Sequence, residues 1–509
     1  MNNYDYVIVG AGSAGCVLAA RLSEVADNRV LLLEAGGPDT REDLFVPLAW
    51  RTLWGTGVDW AYTTVPQPGL GNLPQSWPQG KVLGGSSSIN AMVYLRGHRN
   101  DFDTWAAQGA KGWGYEDVLP YFKKMETVKG RDPKYRGDSG PLRPQVTADP
   151  NPVSETFLAA AKESGYPATD DFNGAVQEGA GWHELTIAGG RRQSTAVAYL
   201  HPAGGRPNLT VRTGALARRL TFDGTRCTGV EYERDGSTER VRAEAEVIVC
   251  GGTVNSPQLL LLSGLGPAGQ LREVGIDVVC DLPGVGENLH DHPRLSLVFE
   301  AQRAIPPGKI DTGEASLSWR SDPSLPGPDM QSLFAHFSYP PHLQAPPNSY
   351  RIAIATVPDS RGWLRLASAD PTAPPLINPN YLAEDSDVRR LLLGLRKARE
   401  LNTATAFAEW GPREVLPGGH IQDEKGLRDF IARGTGCYIH PVGTCKMGTD
   451  DHTVVDPQLR VHGVEGLRVA DASVMPTIVS VNTNAAAIMI GEKAADLVMR
   501  PLGSAGGSI

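Results

Sequence analysis

The chain opens on an apolar run, Tyr4-Asp5-Tyr6-Val7-Ile8-Val9, whose near-continuous hydrophobicity suits a parallel strand buried on both faces. A turn, Gly10-Ala11-Gly12-Ser13-Ala14-Gly15, follows, and Val17, Leu18 and Leu22 then recur at helical spacing. A second buried strand, Val30-Leu31-Leu32-Leu33, ends in Glu34. Strand, glycine turn, helix, strand and terminal acid in that order predict a βαβ unit that binds a dinucleotide. Gly10 permits the tight turn, Gly12 lets the backbone approach a pyrophosphate at the positive end of the helix, and Gly15 lets helix and strand pack closely. Glu34, roughly 20 residues beyond Gly15, can accept hydrogen bonds from ribose hydroxyls. A carboxylate there argues against a 2′-phosphate and hence NADP, and leaves NAD and FAD both open.

The same strand-turn-helix pattern returns at Val247-Ile248-Val249, followed by Gly251-Gly252 and the apolar stretch Leu259 to Leu262. Ile352-Ala353-Ile354 and Leu364-Arg365-Leu366 alternate as strands with one buried face do. Val388, Leu391, Leu392, Leu395 and Ala398 predict an amphipathic helix packed on that sheet. Near the C-terminus, Ala485 to Met499 is alanine-rich with few breakers and reads as a helix, for which Asn482 or Asn484 is a natural N-cap. The tail from Gly503 to Ile509 is small and polar and is expected to be disordered.

Composition narrows the class. With 58 Gly and 39 Pro in 509 residues, their share of about 19% is below the level of low-complexity chains. The formal charge of −9 is evenly mixed, with no basic run, which speaks against nucleic-acid binding. No apolar stretch is long enough to span a membrane. Cys16, Cys227, Cys250, Cys280, Cys437 and Cys445 show no CxxC spacing, and no N-terminal leader is expected. Reduced thiols and a cytoplasmic location are therefore expected. His290 and His292 flank Asp291, but the spacing lacks a third ligand nearby, so no metal is expected.

Two further glycine-bearing segments bear on the cofactor: Gly80-Lys81-Val82-Leu83-Gly84-Gly85-Ser86-Ser87-Ser88-Ile89-Asn90, and Gly252-Thr253-Val254-Asn255-Ser256-Pro257 running on to Gly266. The first offers many backbone N–H groups in a small space, as a diphosphate or the polar edge of a ring requires. In these segments the sequence resembles the glucose-methanol-choline (GMC) oxidoreductase family, whose two signatures look like residues 80–97 and 252–266. The resemblance covers essentially the whole chain, including Gly284-Val285-Gly286-Glu287-Asn288-Leu289-His290-Asp291-His292-Pro293. It is nearest to a bacterial branch that is choline dehydrogenase-like and hydroxymethylfurfural oxidase-like.

The resemblance implies an α/β fold: a Rossmann-like FAD-binding domain from 1–150, 206–294 and 436–509, and an α+β substrate domain built on an antiparallel sheet from 151–205 and 295–435. It implies one FAD per chain, touched in the first βαβ unit by Gly10, Gly12, Ser13, Ala14, Gly15, Glu34 and Ala35. In the first signature the implied contacts are Gly84, Gly85, Ser86, Asn90, Ala91, Met92 and Val93. Ala217 after the strand-like Asn208 to Thr213, then Gly251, then Asp471 and Ala472, and finally Asn482, Thr483 and Asn484 complete the set. For Asp471 a plain strand-end acid is the competing reading. Where some members carry a flavin-linking His this chain has Ile89, so the FAD is expected to be non-covalent.

Oxidising an alcohol by hydride transfer requires a base for the hydroxyl proton, and histidine is suited to that at cellular pH. His440, in Tyr438-Ile439-His440-Pro441, reads alone more readily as a satisfied core histidine; the resemblance places it at the family's active-site His. Asn482 falls where members place a His or Asn that hydrogen-bonds the substrate oxygen. The implied reaction is oxidation of a primary alcohol, aromatic or furanic among the options, to the aldehyde. Hydride passes to flavin N5, and oxygen or a quinone-type acceptor reoxidises the flavin. An FAD-containing lyase or photodecarboxylase on the same scaffold is the alternative. Phe334, Phe337, Tyr339 and Tyr438 are candidate pocket aromatics, each also readable as core.

Overall fold

The computed structural model describes residues 3–336 and 346–499. Phe337, Tyr339 and the tail from Gly503 lie outside the described residues. The apolar runs assemble a first sheet. Asn3–Val9 lies parallel between Val30–Leu33 and the long strand Ser237–Val249, and Leu209–Arg212 is parallel to Val30–Leu33 on its far side. Leu467–Val469 runs parallel to the end of Ser237–Val249, while the start of that strand pairs antiparallel with Arg226–Arg234, which pairs in turn with Leu216–Asp223. Val7, Ile8, Leu31, Leu32, Val247 and Ile248 are buried, as strands covered on both faces must be.

Helix Ser13–Leu22 follows the first strand so closely that a Cβ on Gly15 would stand 1.9 Å from the Gly10 carbonyl oxygen. Helix Asn484–Met499 packs closely on it, since a Cβ on Gly491 would lie 2.9 Å from the Ala14 carbonyl oxygen. This last helix begins at Asn484, so Thr483 holds the position before its first residue, rather than Asn482 or Asn484 as the capping pattern suggested.

A second sheet is antiparallel throughout, in the order Arg413–Leu416, Pro293–Glu300, Ser349–Thr356, Met330–Ala335, Gly313–Trp319, Gly179–Trp182. Gly436–Cys437 also pairs with the start of Pro293–Glu300. Strand alternation gives this sheet two distinct faces. Register aligns Phe334 with Ile352 and Ser332 with Ile354, and this face meets helix Asp385–Asn402, where a Cβ on Gly394 would touch Ile354. Phe334 stacks on Phe157 of helix Pro152–Glu163 and tilts against Tyr350, so it is a core residue and not a pocket aromatic. The opposite face carries Leu333, Ala335 and Arg351 and looks into a cavity.

Two strand expectations are corrected. Ser349–Thr356 is buried along its whole length, not on one face, because a helix covers one side and the cavity wall the other. Leu364 lies in the short strand Trp363–Arg365, which pairs with Leu376–Asn378 in a separate two-stranded sheet. Leu391, Leu392, Leu395 and Ala398 are buried on the sheet as their spacing predicts. Among the described residues no helix is long and apolar enough to cross a membrane.

Candidate active site

A cavity of about 620 Å³ is lined by residues from both sheets and from all the glycine-bearing segments. Its walls fall into three groups. Glu34, Ala35, Ala215 and Ala217 form the first, Glu34 and Ala35 just after the parallel strand Val30–Leu33 and Ala215 and Ala217 at the start of Leu216–Asp223. Burial raises the Glu34 carboxyl to about 7 despite hydrogen bonds from the Gly36 and Ala11 N–H groups, each 2.8 Å. Each oxygen takes one backbone donor and keeps acceptor capacity for a ribose hydroxyl.

The second group is a convergence of helix starts. Gly10, Gly12, Ser13 and Ala14 line the cavity where helix Ser13–Leu22 begins, and Gly12 supplies no side-chain cap, so the first N–H groups of the helix are left for a ligand. A Cβ on Gly12 would meet nothing within 4 Å, which marks open space beside the turn. Gly85 closes on it from the serine-rich loop, where its own Cβ would lie 2.7 Å from the Gly12 Cα. The Ser13 hydroxyl donates to Asn484 Oδ1 at 2.6 Å, which ties the start of the last helix to that of the first. At helix Gly252–Leu262, Asp471 accepts from the Gly252 N–H at 2.8 Å and the Ser256 hydroxyl at 2.5 Å. This buried carboxylate both caps that helix and lines the cavity, so the strand-end reading and the wall position hold together. Uncapped N–H groups, an open cradle and a ribose-competent acid fit a dinucleotide.

The third group carries titratable chemistry. Asn90, Ala91, Met92 and Val93 form one wall, with Asn90 Oδ1 accepting from the Met92 N–H at 3.0 Å and from Arg192 Nη1 at 2.8 Å. Opposite them, His440 Nε2 lies 3.1 Å from Asn482 Nδ2. Burial first, then the neighbouring His292 ring and the positive charge of Arg294, hold the His440 imidazole well below the usual 6.5, so it is neutral at rest. Ile439 beside it takes a φ of 67°, a conformation a β-branched residue rarely adopts.

The segment His290-Asp291-His292 holds that geometry. Asp291 Oδ1 accepts the His440 backbone N–H at 2.7 Å, and Oδ2 accepts the Tyr381 hydroxyl and, at 3.3 Å, the Ile439 N–H. His290 Nε2 accepts the Ile478 N–H at 2.9 Å while its Nδ1–H donates to the Asn288 carbonyl, so both ring nitrogens are taken by backbone. His292 Nδ1 lies 3.0 Å from His440 Nδ1. Among the described residues no metal-binding cluster occurs, and all six cysteines are free. The supporting role of His290, Asp291 and His292 was not read from sequence, where the two histidines flanking Asp291 raised only a metal reading that lacked a third ligand.

Of the residues singled out from sequence, all but two of the cofactor set meet at this cavity, together with His440, Asn482 and Tyr438. Gly15 and Gly84 are not on its wall. Gly15 serves the helix-strand approach, and Gly84, at φ 87°, donates its N–H to the Ala11 carbonyl at 2.8 Å, so each shapes the cradle without facing it.

The family model described as GMC oxidoreductase matches residues 4–294 with its N-terminal part and residues 358–491 with its C-terminal part. The mitochondrial choline dehydrogenase of Homo sapiens is 43% identical, across 98% of this chain and 90% of that protein. The oxygen-dependent choline dehydrogenase of Rhizobium etli is also 43% identical, across 97% of this chain and 95% of its own length. Among solved structures, pyridoxine 4-oxidase from Mesorbium loti superimposes with a TM-score of 0.93 at 34% identity, covering 97% of this chain and 99% of that one.

Proposed function

This chain belongs to the GMC oxidoreductase family and is an FAD-dependent alcohol oxidoreductase, and from that premise we propose that His440 is its catalytic base and Asn482 its substrate-orienting residue. The observation that carries the reading is the 3.1 Å contact between His440 Nε2 and Asn482 Nδ2 on the cavity wall. An alcohol oxygen placed beside both gives its proton to Nε2 while the amide N–H holds the oxygen in place. When bound, FAD supplies the hydride acceptor at N5 and is reoxidised by oxygen or a quinone-type acceptor. Thr483 and Asn484, at the N-terminus of helix Asn484–Met499 on the cavity wall, would offer that end's partial positive charge to negative charge on a bound flavin. Asn482 itself cannot take up a proton, which leaves His440 as the single base.

The cofactor is held without a covalent link, since buried Ile89 on the cavity wall has no nucleophilic atom. Its contacts are the residues of the three wall groups. Residues 151–205 and 295–435 form the substrate-binding unit, whose antiparallel sheet roofs the site. The protein works in the cytoplasm. Its substrate is a primary alcohol, as choline and pyridoxine, named for its relatives, both are.

The test is anaerobic addition of aliphatic, benzylic, furanic and amino alcohols to the yellow protein in the dark, then admission of air. Bleaching of the flavin band by an alcohol supports the reading, and fast recolouring in air assigns oxygen as acceptor. A flavin that no alcohol bleaches overturns it. Acid precipitation should release all the flavin into the supernatant; flavin retained in the pellet would refute the non-covalent assignment.

A further inference from the structure

Two arginines share the sheet face that roofs the site. Arg351 pairs in register with Ala335 on one side and Val298 on the other, and Arg294 lies four residues before Val298 on the same strand, so alternation puts both guanidiniums on one face. Both line the cavity with Leu333, Tyr438 and His440. Arg351 is only 4% exposed. The Arg294 guanidinium lies 5.7 Å from the Tyr438 ring centre, and that ring lies 4.3 Å from the His440 ring, so this charge stands within two side chains of the proposed base.

We propose that this wall selects an alcohol that carries an oxyanion, a carboxylate in the first instance, and disfavours a cationic alcohol such as choline. Whatever else each arginine touches, its charge is fixed at any working pH, and its planar fork matches a carboxylate with two parallel hydrogen bonds. The cavity's carboxylates do not reverse that field. Glu34 lies with the ribose-side residues and Asp471 is bonded to Gly252, Ser256 and Ser473. Asp311, the remaining acid on the wall, accepts the Thr312 and Gly313 N–H groups at Oδ1, and burial raises it to about 7. A permanent cation brought beside two guanidiniums is repelled, whereas a carboxylate is attracted and can take charge-assisted bonds from them.

This inference rests on the alcohol-oxidation reading for its reacting end and is tested so that the two can fail separately. The turnover probes are 4-(hydroxymethyl)benzoate, 4-methylbenzyl alcohol and 4-(hydroxymethyl)phenyltrimethylammonium, which share a ring and a carbinol and differ in charge. With the FAD-loaded enzyme, kcat/KM should fall from carboxylate to neutral on the order of 10- to 100-fold, the worth of a hydrogen bond between charged partners, and again to the cation. Arg351→Met and Arg294→Met should each shrink the carboxylate-to-neutral ratio about tenfold or more, and Arg294→Glu should shift preference toward the cation. Equilibrium binding of the non-oxidisable 4-methylbenzoate and 4-methylphenyltrimethylammonium, read by perturbation of the flavin spectrum, supplies a measure independent of turnover. Tighter binding of the anion with no alcohol oxidised would sustain the anion site and defeat the alcohol reading. Oxidation with a flat or reversed charge order would overturn the anion site and leave the alcohol reading intact. A change in flavin potential in the arginine variants with the charge order unmoved would also overturn it, assigning the arginines to the reduced cofactor.

Discussion

His292 and His440 face each other through their Nδ1 atoms at 3.0 Å, a contact that two neutral rings make only if one carries a proton there and the other a lone pair. Gln331 Nε2 donates to Asn482 Oδ1 at 3.4 Å, which turns the Asn482 amide N–H toward His440 Nε2. Nε2 is then the lone-pair nitrogen, His440 Nδ1 carries the proton, and His292 accepts it. Burial drives His292 down to about 3, so it stays neutral and keeps that acceptor. One ring thus fixes the tautomer in which the other can act as base.

His292→Phe keeps a ring but removes the acceptor. Flavin reduction by alcohol should slow at least about tenfold, part of the 10²- to 10⁴-fold that a general base contributes, with FAD content unchanged and His292→Asn partly restoring the rate. Stopped-flow reduction beside flavin-to-protein ratios measures both; a normal rate in the Phe variant would sink the tautomer assignment.

The pH profile follows from His440. A base whose value lies well below 6.5 is deprotonated at and above that pH and is lost only as pH falls further. The acid limb of kcat/KM should therefore lie below pH 6.5, with the rate at pH 6.5 equal to that at pH 8. In Arg294→Met, loss of a neighbouring positive charge favours the imidazolium, so the acid limb should move upward. A wild-type inflexion at or above 6.5 would contradict the burial of a neutral ring.

Gly12 and Gly15 belong to one motif yet should fail differently. At Gly12 a Cβ meets no protein atom within 4 Å, so Gly12→Ala should fold normally and place its methyl where the cofactor passes. At Gly15 the Cβ would stand 1.9 Å from the Gly10 carbonyl oxygen, and Gly15→Ala should cost about 3 kcal/mol or more as an overpacked backbone contact. Melting temperature and bound FAD separate them: Gly12→Ala should lose flavin with its apoprotein melting unchanged, Gly15→Ala should lose both.

The parts of the site that were legible in sequence are those that neighbours along the chain define. The first βαβ unit is one continuous stretch, so its glycines and Glu34 were readable from order and spacing alone. His440 and Asn482 came from motif resemblance, and nothing local said that they touch. What stayed hidden depends on register and long-range pairing. Arg294 and Arg351 share a face because Val298 aligns with Arg351, and Leu333 faces the cavity while Phe334 faces the core because the strand alternates. His292, 148 positions from His440, carried only a weak metal signal. Its burial, which decides its role, is a tertiary property.

A network remote from the base holds the strand next to the site. Glu126 is fully buried between Arg96 Nη2 at 2.5 Å and Arg136 Nε at 2.8 Å, and also accepts the Tyr94 hydroxyl at 2.8 Å. Tyr94 follows Val93, whose side chain lines the cavity, so the network sets the floor of that wall. Burial alone would raise the Glu126 carboxyl, but Arg96 and Arg136 more than offset it and hold it below its usual 4.5. A carboxyl lowered on folding contributes stability that is present above the unfolded value and is lost as pH falls through the folded one. Glu126→Gln takes the carboxylate from buried Arg96 and leaves Arg136 to Glu184 and Asp171, and should cost about 3 kcal/mol or more at pH 7. Because the wild-type contribution itself disappears in acid, the gap between the urea midpoints of the two proteins should narrow as pH drops below 4.5. A gap that stayed constant from pH 7 into that range would mean that Glu126 contributes through packing and not through its charge.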